Sequence, residues 1–299
     1  MNKSFFSATL FLAMFSLSGC MNLFNSNQQD GLQCTDASNC TELGNECIID
    51  KNYTDALIFF EKACKLNEGE ACLNAGIIYH EGLNTEADSS KAANFYEQAC
   101  NMNYASGCTH LGIIYGSGST PDYARALDFY RKGCENGDNE GCYFTGMAYR
   151  DGFGINQNTG SAYEYIQKAC DMNLGKACSE MGIHLDLDVT RDSADHNTSS
   201  LKYYEKACSL GDGTGCTNAG ATYFYGKSVT PDIFKANMLF ERACDLNNAK
   251  GCSDLGLSYL KGTGIKQDSA KALELFGKAC DLKLNEGCEN YSKYKNSCR

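Results

Sequence analysis

The sequence predicts an all-α fold, an α-solenoid of helix–turn–helix repeats stapled by disulfides. Three observations carry that prediction. First, seven cysteine pairs share a spacing of eight positions: Cys64 and Cys72, Cys100 and Cys108, Cys134 and Cys142, Cys170 and Cys178, Cys208 and Cys216, Cys244 and Cys252, Cys280 and Cys288. Their first members recur every 34–38 residues, a register that chance does not hold over two hundred positions. Second, the segments between the pairs place apolar residues at helical offsets, as in Ala56, Leu57, Phe60, Ala63 and Cys64. Third, aromatics and glycines keep the same register as the cysteines. With 299 residues, 43% apolar and 21% charged, the chain has the composition of a folded protein. A net charge of −11 argues against nucleic acid, which needs clustered Lys and Arg.

The elements follow in chain order. Lys3, an apolar run of thirteen from Phe5 to Leu17, and Leu17-Ser18-Gly19-Cys20 predict an export signal over 1–19, too short to span a bilayer as a mature helix. The ending looks like a bacterial lipobox, which makes Cys20 the lipidated mature amino terminus. Met21 in place of Asp resembles the pattern for delivery to the outer membrane of a bacterium with two membranes. Residues 20–33 read as this lipidated end and a flexible tether, whose coil reaches about 20 Å. The repeat array then fills 34–299, about seven repeats and a C-terminal capping helix near 287–297, with no separate domains. Gly44, four residues after Cys40, puts Cys40 in the second-cysteine position of the first unit.

Within each unit an aromatic stands four before the first Cys (Phe60, Tyr96, Tyr130, Tyr204, Phe240, Phe276; Ile166 differs). A Gly stands four after the second Cys (Gly76, Gly112, Gly146, Gly182, Gly220, Gly256; Ser292 differs), where its small size lets a neighbouring helix approach. Asn or Gly three past the first Cys suits the left-handed end of a helix, with Lys283 the exception. Helix starts are supplied by Tyr53-Thr54-Asp55 and Thr230-Pro231-Asp232. One such hairpin cannot bury its apolar face alone, whereas stacked copies can.

Each cysteine pair flanks the turn between one unit and the next, close enough for a disulfide. Zinc would need two pairs converging, or nearby histidines; His80, His110, His184 and His196 share no register, and no metal or cofactor is expected. A bridge closing nine residues contributes about 2–3 kcal/mol in the chain-entropy account. Cys34 is assigned to Cys40. Cys47 and Cys298 are left over at opposite ends of the array, free or joining chains, with Cys47 read as a buried free thiol.

The run Gly251-Cys252-Ser253-Asp254-Leu255-Gly256-Leu257-Ser258-Tyr259-Leu260-Lys261-Gly262-Thr263-Gly264-Ile265, continued through Lys271-Ala272 to Lys278-Ala279-Cys280, resembles a Sel1-like repeat. The paired cysteines are similar to those of the Helicobacter cysteine-rich proteins. The resemblance spans about 40–298 and implies a right-handed superhelix related to tetratricopeptide repeats. It also implies two functions: adaptors that bind proteins, and a weak penicillin-binding or β-lactamase-like activity. The fifth unit departs from the pattern, with Leu185 for the Tyr, Asp188 for the second Gly, and a longer connection.

Ser-x-x-Lys, the penicillin-binding signature, occurs at Ser199/Lys202, Ser258/Lys261 and Ser292/Lys295, about as often as chance gives and without its companion motifs, so no catalytic residue is assigned. Asp186, Asp188 and Asp192 are faintly spaced like a calcium loop but lack its Gly and closing Glu; they read as a solvated loop. Binding has better support. By analogy with tetratricopeptide repeats, positions one, five and eight after the second Cys form a concave face carrying Leu73, Ile77, His80, Thr109, Ile113, Tyr143, Met147, Arg150, Ser179, Thr217, Phe224, Ser253 and Leu260. These vary while the packing positions repeat. The expected partner is a protein or peptide with basic or neutral patches, and the only expected membrane contact is the lipid anchor.

Overall fold

A computed structural model describes residues 34–187, 193–227 and 229–295. Among them are fifteen helices and no strand. The chain divides into two compact units, Met1–Ile114 and Tyr115–Arg299. In the first lie α1 (Ala37–Ile49), α2 (Tyr53–Lys65), α3 (Gly69–Glu81), α4 (Ser89–Asn101) and most of α5 (Ala105–Gly116). The second holds α6 (Tyr123–Glu135), α7 (Asn139–Asp151), α8 (Thr159–Asp171), α9 (Gly175–Leu187), α10 (Ser193–Ser209), α11 (Gly213–Tyr225), α12 (Ile233–Asp245), α13 (Ala249–Lys261), α14 (Ser269–Asp281) and α15 (Asn285–Tyr294). Even-numbered helices carry the first cysteine of each pair and odd-numbered helices the second. The last helix starts two residues earlier than the sequence suggests.

Local chemistry sets the helix ends. The side chains of Asp88, Asp122, Asn158, Asp232 and Asp268 accept backbone N–H bonds at the starts of the even helices. At α2 the cap is Asn52, one residue ahead of the expected Tyr53 start. Helices α3, α7, α11 and α13 end on left-handed glycines, Gly82, Gly152, Gly226 and Gly262. Even helices end three residues past the first Cys with φ of 59–98° at Asn103, Gly137, Asn173, Gly211 and Asn247, and Lys283 obeys the same geometry at 71°. The repeat, not the residue type, imposes the turn there. A side chain in that region costs about 1–2 kcal/mol, so Lys283→Gly is expected to raise the urea midpoint, by a gain of about 1 kcal/mol.

Packing explains the recurring residues. The Gly four after the second Cys meets the bulky residue of the following even helix: Gly44 on Phe60 and Gly76 on Tyr96 in the first unit, Gly146 on Ile166, Gly220 on Phe240 and Gly256 on Phe276 in the second. A Cβ on Gly220 would lie 2.6 Å from the Phe240 ring. Phe60, Tyr96 and Phe276 are fully buried as a result, each contributing about 1.5–3 kcal/mol. A second close approach was not singled out in the sequence. The residue before the second Cys is Gly at 107, 215, 251 and 287, and it lies on the Ala before the first Cys, at 99, 207, 243 and 279. At these four bridges the two joined helices cross at a Gly–Ala contact.

Eight disulfides have Cα atoms 4.4–4.9 Å apart: the seven pairs at separation eight join helices across successive turns, and Cys34–Cys40 ties the segment before α1 to that helix. Cys47 corrects the expectation of a free thiol: it is disulfide-bonded and buried, to a partner outside the described residues. Cys20, Cys298 and the 20–33 tether also lie outside them. A further tie runs beside the bridges. The Lys two before the first Cys donates to the carbonyl of the preceding repeat's first Cys: Lys62 to Cys34 (3.0 Å), Lys206 to Cys170 (2.8 Å) and Lys278 to Cys244 (2.7 Å). At Cys170 and Cys244 the ammonium adds a second bond to a carbonyl that also accepts from the turn, from Asn173 N–H (2.9 Å) and Asn247 N–H (3.0 Å). Lys62 reaching Cys34 shows Cys34 standing where a first cysteine stands in every later repeat.

Candidate recognition face

The odd helices of neighbouring repeats lie side by side, α9 against α11 and α11 against α13. Their shared face was expected to carry the binding residues, and the structure divides that set. Thr109, Ser179, Thr217 and Ser253, one position after the second Cys, are buried, as are Leu73 and Ile77. Thr109 and Thr217 are therefore corrected from surface to interior. For Thr217 and Ser179 the physical reason is a contact between repeats. The Thr217 hydroxyl donates to the cap side chain of the next odd helix, Asn248 (3.0 Å), and Ser179 bonds Asp212 in the same way. His80, Ile113, Tyr143, Met147, Arg150, Phe224 and Leu260 remain half-buried at the face.

These residues gather in seams between consecutive odd helices, where positions eight and nine after one second Cys oppose positions two to six after the next. In the first unit His80 and His110 flank the Tyr96 ring, with centroids 6.4 and 5.2 Å away. Between α7 and α9 the seam is filled by charge. Arg150 pairs with Asp151 (2.8 Å) and Glu180 (3.2 Å), all about one-third exposed. Tyr163 of α8 stacks on His184, ring centroids 3.4 Å apart. The Tyr143 ring lies under the Lys176 ammonium (4.8 Å), which pairs with Glu140 (2.8 Å). Burial, and then the nearby Glu180 carboxylate, push the Tyr143 hydroxyl up; burial does the same to Tyr163. Both phenols stay protonated donors near neutral pH.

Between α11 and α13 the equivalent seam is left open. A hollow of about 110 Å³ lies among Ala221, Phe224, Tyr225, Phe240 and Leu257, with Lys261 at its rim. Phe224 meets Tyr225 edge-on (5.2 Å) and tilts over Phe240 (6.3 Å). Tyr225 is 71% exposed. Asp254 lines the hollow too; burial pushes its carboxyl up, and Lys250 at 2.9 Å opposes that.

The catalytic signature does not assemble. The Ser258 hydroxyl is buried and donates to the Asp254 carbonyl (3.2 Å), the usual back-bond of a helical Ser, and no hydrogen bond joins it to Lys261. Ser292 and Lys295 sit exposed on α15, and the Ser199 side chain lies outside the described residues. Asp186 accepts the Tyr204 hydroxyl (2.8 Å), while Asp188 and Asp192 fall outside; no group of metal-ligating side chains occurs among the described residues. No described helix is long and apolar enough to cross a membrane.

The Sel1 repeat matches seven times, at residues 38–68, 69–104, 105–138, 139–174, 172–212, 214–248 and 249–284. The chain belongs to the Sel1 repeat family. Each match after the first opens on or beside an odd helix and closes after the next even one, so a seam lies between consecutive Sel1 repeats. Among solved structures, a Sel1 repeat protein from Oxalobacter formigenes is 26% identical at a TM-score of 0.73, with 81% of this chain covering 99% of that one. A protective antigen of uropathogenic Escherichia coli displaying an SLR fold is 25% identical at a TM-score of 0.67, 84% of this chain covering 55% of it. Over 44 residues the chain is 41% identical to a Helicobacter pylori (strain ATCC 700392 / 26695) protein named "Putative beta-lactamase HcpC", a stretch of 15% of either chain. The chain thus spans a small part of that curated relative and about half of the antigen.

Proposed function

We propose that this Sel1 repeat protein is an exported, lipid-anchored scaffold that binds another protein or a peptide in the envelope of a Gram-negative bacterium. One observation carries the binding part: the glycines, aromatics and cysteines that recur between repeats are consumed by packing, while variable residues such as Tyr143, Arg150 and Phe224 are left half-exposed in the seams of the odd helices. Sel1 repeats generally serve protein–protein interaction, and an extended stack of helices offers a long surface for it. Export is supported by the many disulfides, which persist in oxidising compartments. The lipobox-like Leu17-Ser18-Gly19-Cys20 supports the anchor. A lipidated Cys20 holds its sulfur in a thioether and cannot be the disulfide partner of Cys47.

Two experiments test this. Capture from an envelope extract, with recovered proteins identified by mass spectrometry, is expected to fall at least tenfold for Tyr143→Ala and for Phe224→Ala with helical content unchanged; capture equal to wild type would place binding elsewhere. Metabolic labelling with an alkyne fatty acid is expected to mark the wild-type chain and not Cys20→Ser; equal labelling of both rejects the anchor. A second reading, β-lactam or peptidoglycan-stem binding or hydrolysis, is supported by the name of the Helicobacter relative.

A further inference from the structure

We infer that the seam between α11 and α13 takes a branched aliphatic side chain from an extended, basic partner segment, whose Lys or Arg lies at the Arg150–Glu180 seam two repeats away. The inference rests on the binding-face reading and names its partner chemistry. The hollow of about 110 Å³ is lined on one side by Ala221, Phe224, Phe240 and Leu257 and on the other by polar groups, Asp254, Ser258, Lys261 and Thr263, beside the exposed Tyr225. Its volume, below the roughly 150 Å³ cavity that admits a benzene, suits a side chain the size of Leu, Ile or Val. A pocket with aromatic walls is the usual seat of an interface anchor.

The hollow is also the same place in the repeat as an ion-filled seam. Phe224 and Tyr225 stand eight and nine positions after Cys216, as Arg150 and Asp151 stand after Cys142; Asp254 stands two after Cys252, as Glu180 does after Cys178. At the first of these positions Arg150 reaches across the seam to Glu180; at the second Asp254 pairs with Lys250 of its own helix (2.9 Å), and Phe224 in the Arg150 position lines a hollow instead. That hollow is where a partner side chain enters the seam. Charge decides the rest. Asp151 and Glu180 share the one guanidinium of Arg150, and Asp212 acts on Tyr143 beside them. The chain as a whole carries −11, which attracts a basic segment. Two steps between neighbouring helices at 8–10 Å each make about 16–20 Å, the span of about five or six extended residues.

The test uses the oxidised protein and fluorescein-labelled twelve-residue peptides of Gly and Ser carrying a Leu and, about six positions away, an Arg, in both orders, with Glu replacing Arg in the matched controls. Fluorescence polarisation is expected to show the Arg peptides binding at least tenfold tighter than the Glu peptides, weakening as salt rises. Ala221→Leu, which fills the hollow, and Tyr225→Ala, at an exposed rim position, are each expected to weaken the Arg peptides about tenfold; Glu180→Gln is expected to erase most of the Arg-over-Glu preference. Equal binding of both peptide classes, lost in Ala221→Leu, overturns the basic partner and leaves the binding face standing. Binding indifferent to Ala221→Leu and Tyr225→Ala, or no binding, overturns the pocket. If Tyr143→Ala and Phe224→Ala also leave partner capture undiminished, the binding-face reading falls with it.

Discussion

Replacing Cys244 and Cys252 together by Ala is expected to lower stability by about 2–3 kcal/mol, the loop-closure term for nine residues. The two cysteines are almost fully buried, with Cα atoms 4.5 Å apart, and the bridge closes the turn between α12 and α13 beside the Gly251–Ala243 crossing. The loss should be local. In a repeat stack each unit contacts its neighbours only, so stability is a sum of unit and interface terms. Hydrogen exchange is expected to quicken in α12 and α13 and to stay at wild-type rates in α7 and α8. Uniform quickening across the second unit would show the bridges acting as one network.

Gly220→Ala is expected to destabilise by about 1–3 kcal/mol through overpacking, although Ala is the better helix former. The added Cβ sits 2.6 Å from the Phe240 ring and 3.3 Å from the Ala236 carbonyl, so either α11 and α12 separate or the ring leaves its place. Gly160→Ala supplies the control: its Cβ meets nothing closer than the Asn158 side-chain oxygen at 3.5 Å, in the exposed first turn of α8. That substitution is expected to be neutral or to stabilise by up to about 1 kcal/mol. Urea midpoints of the two variants should move in opposite directions. A Gly220→Ala midpoint at or above wild type would mean that the recurring glycine is not there for the approach of the next helix.

The cysteine spacing and the Gly four positions on made the hairpins and their crossings legible, because a residue that must recur in every copy for packing is visible against copies that differ. The Gly–Ala crossing recurs at four of the bridges, at Gly251 and Ala243 for instance, yet small residues inside a helix carry no sign of what approaches them. The Lys206 and Lys278 ties were hidden for a similar reason: a Lys on a helix reads as solvated until the carbonyl it reaches is in place. At the face, the rule of one, five and eight found Tyr143, Arg150 and Phe224 but also took in Thr109 and Thr217. A tetratricopeptide analogy does not foresee that the first position is buried, with Thr217 and Ser179 bonded to the cap of the next repeat. Glu180, Tyr163 and Tyr225 were missed because a seam is built from two helices, and no single helix's pattern contains it. The disulfide of Cys47 was out of reach for a register argument, since Cys47 is the one described cysteine that sits outside the paired spacing.

The central claim is that this face binds and does not turn over substrate, and that the paired cysteines are structural. Intact mass of the oxidised chain, before and after incubation with a β-lactam and beside turnover of a chromogenic cephalosporin, tests it most directly. The account predicts a mass lower than the all-thiol chain by two hydrogens per bridge, for at least the eight described bridges, with no change on incubation and no turnover. An acyl adduct or a turnover that disappears on replacing a single Ser would contradict it and make the chain an enzyme.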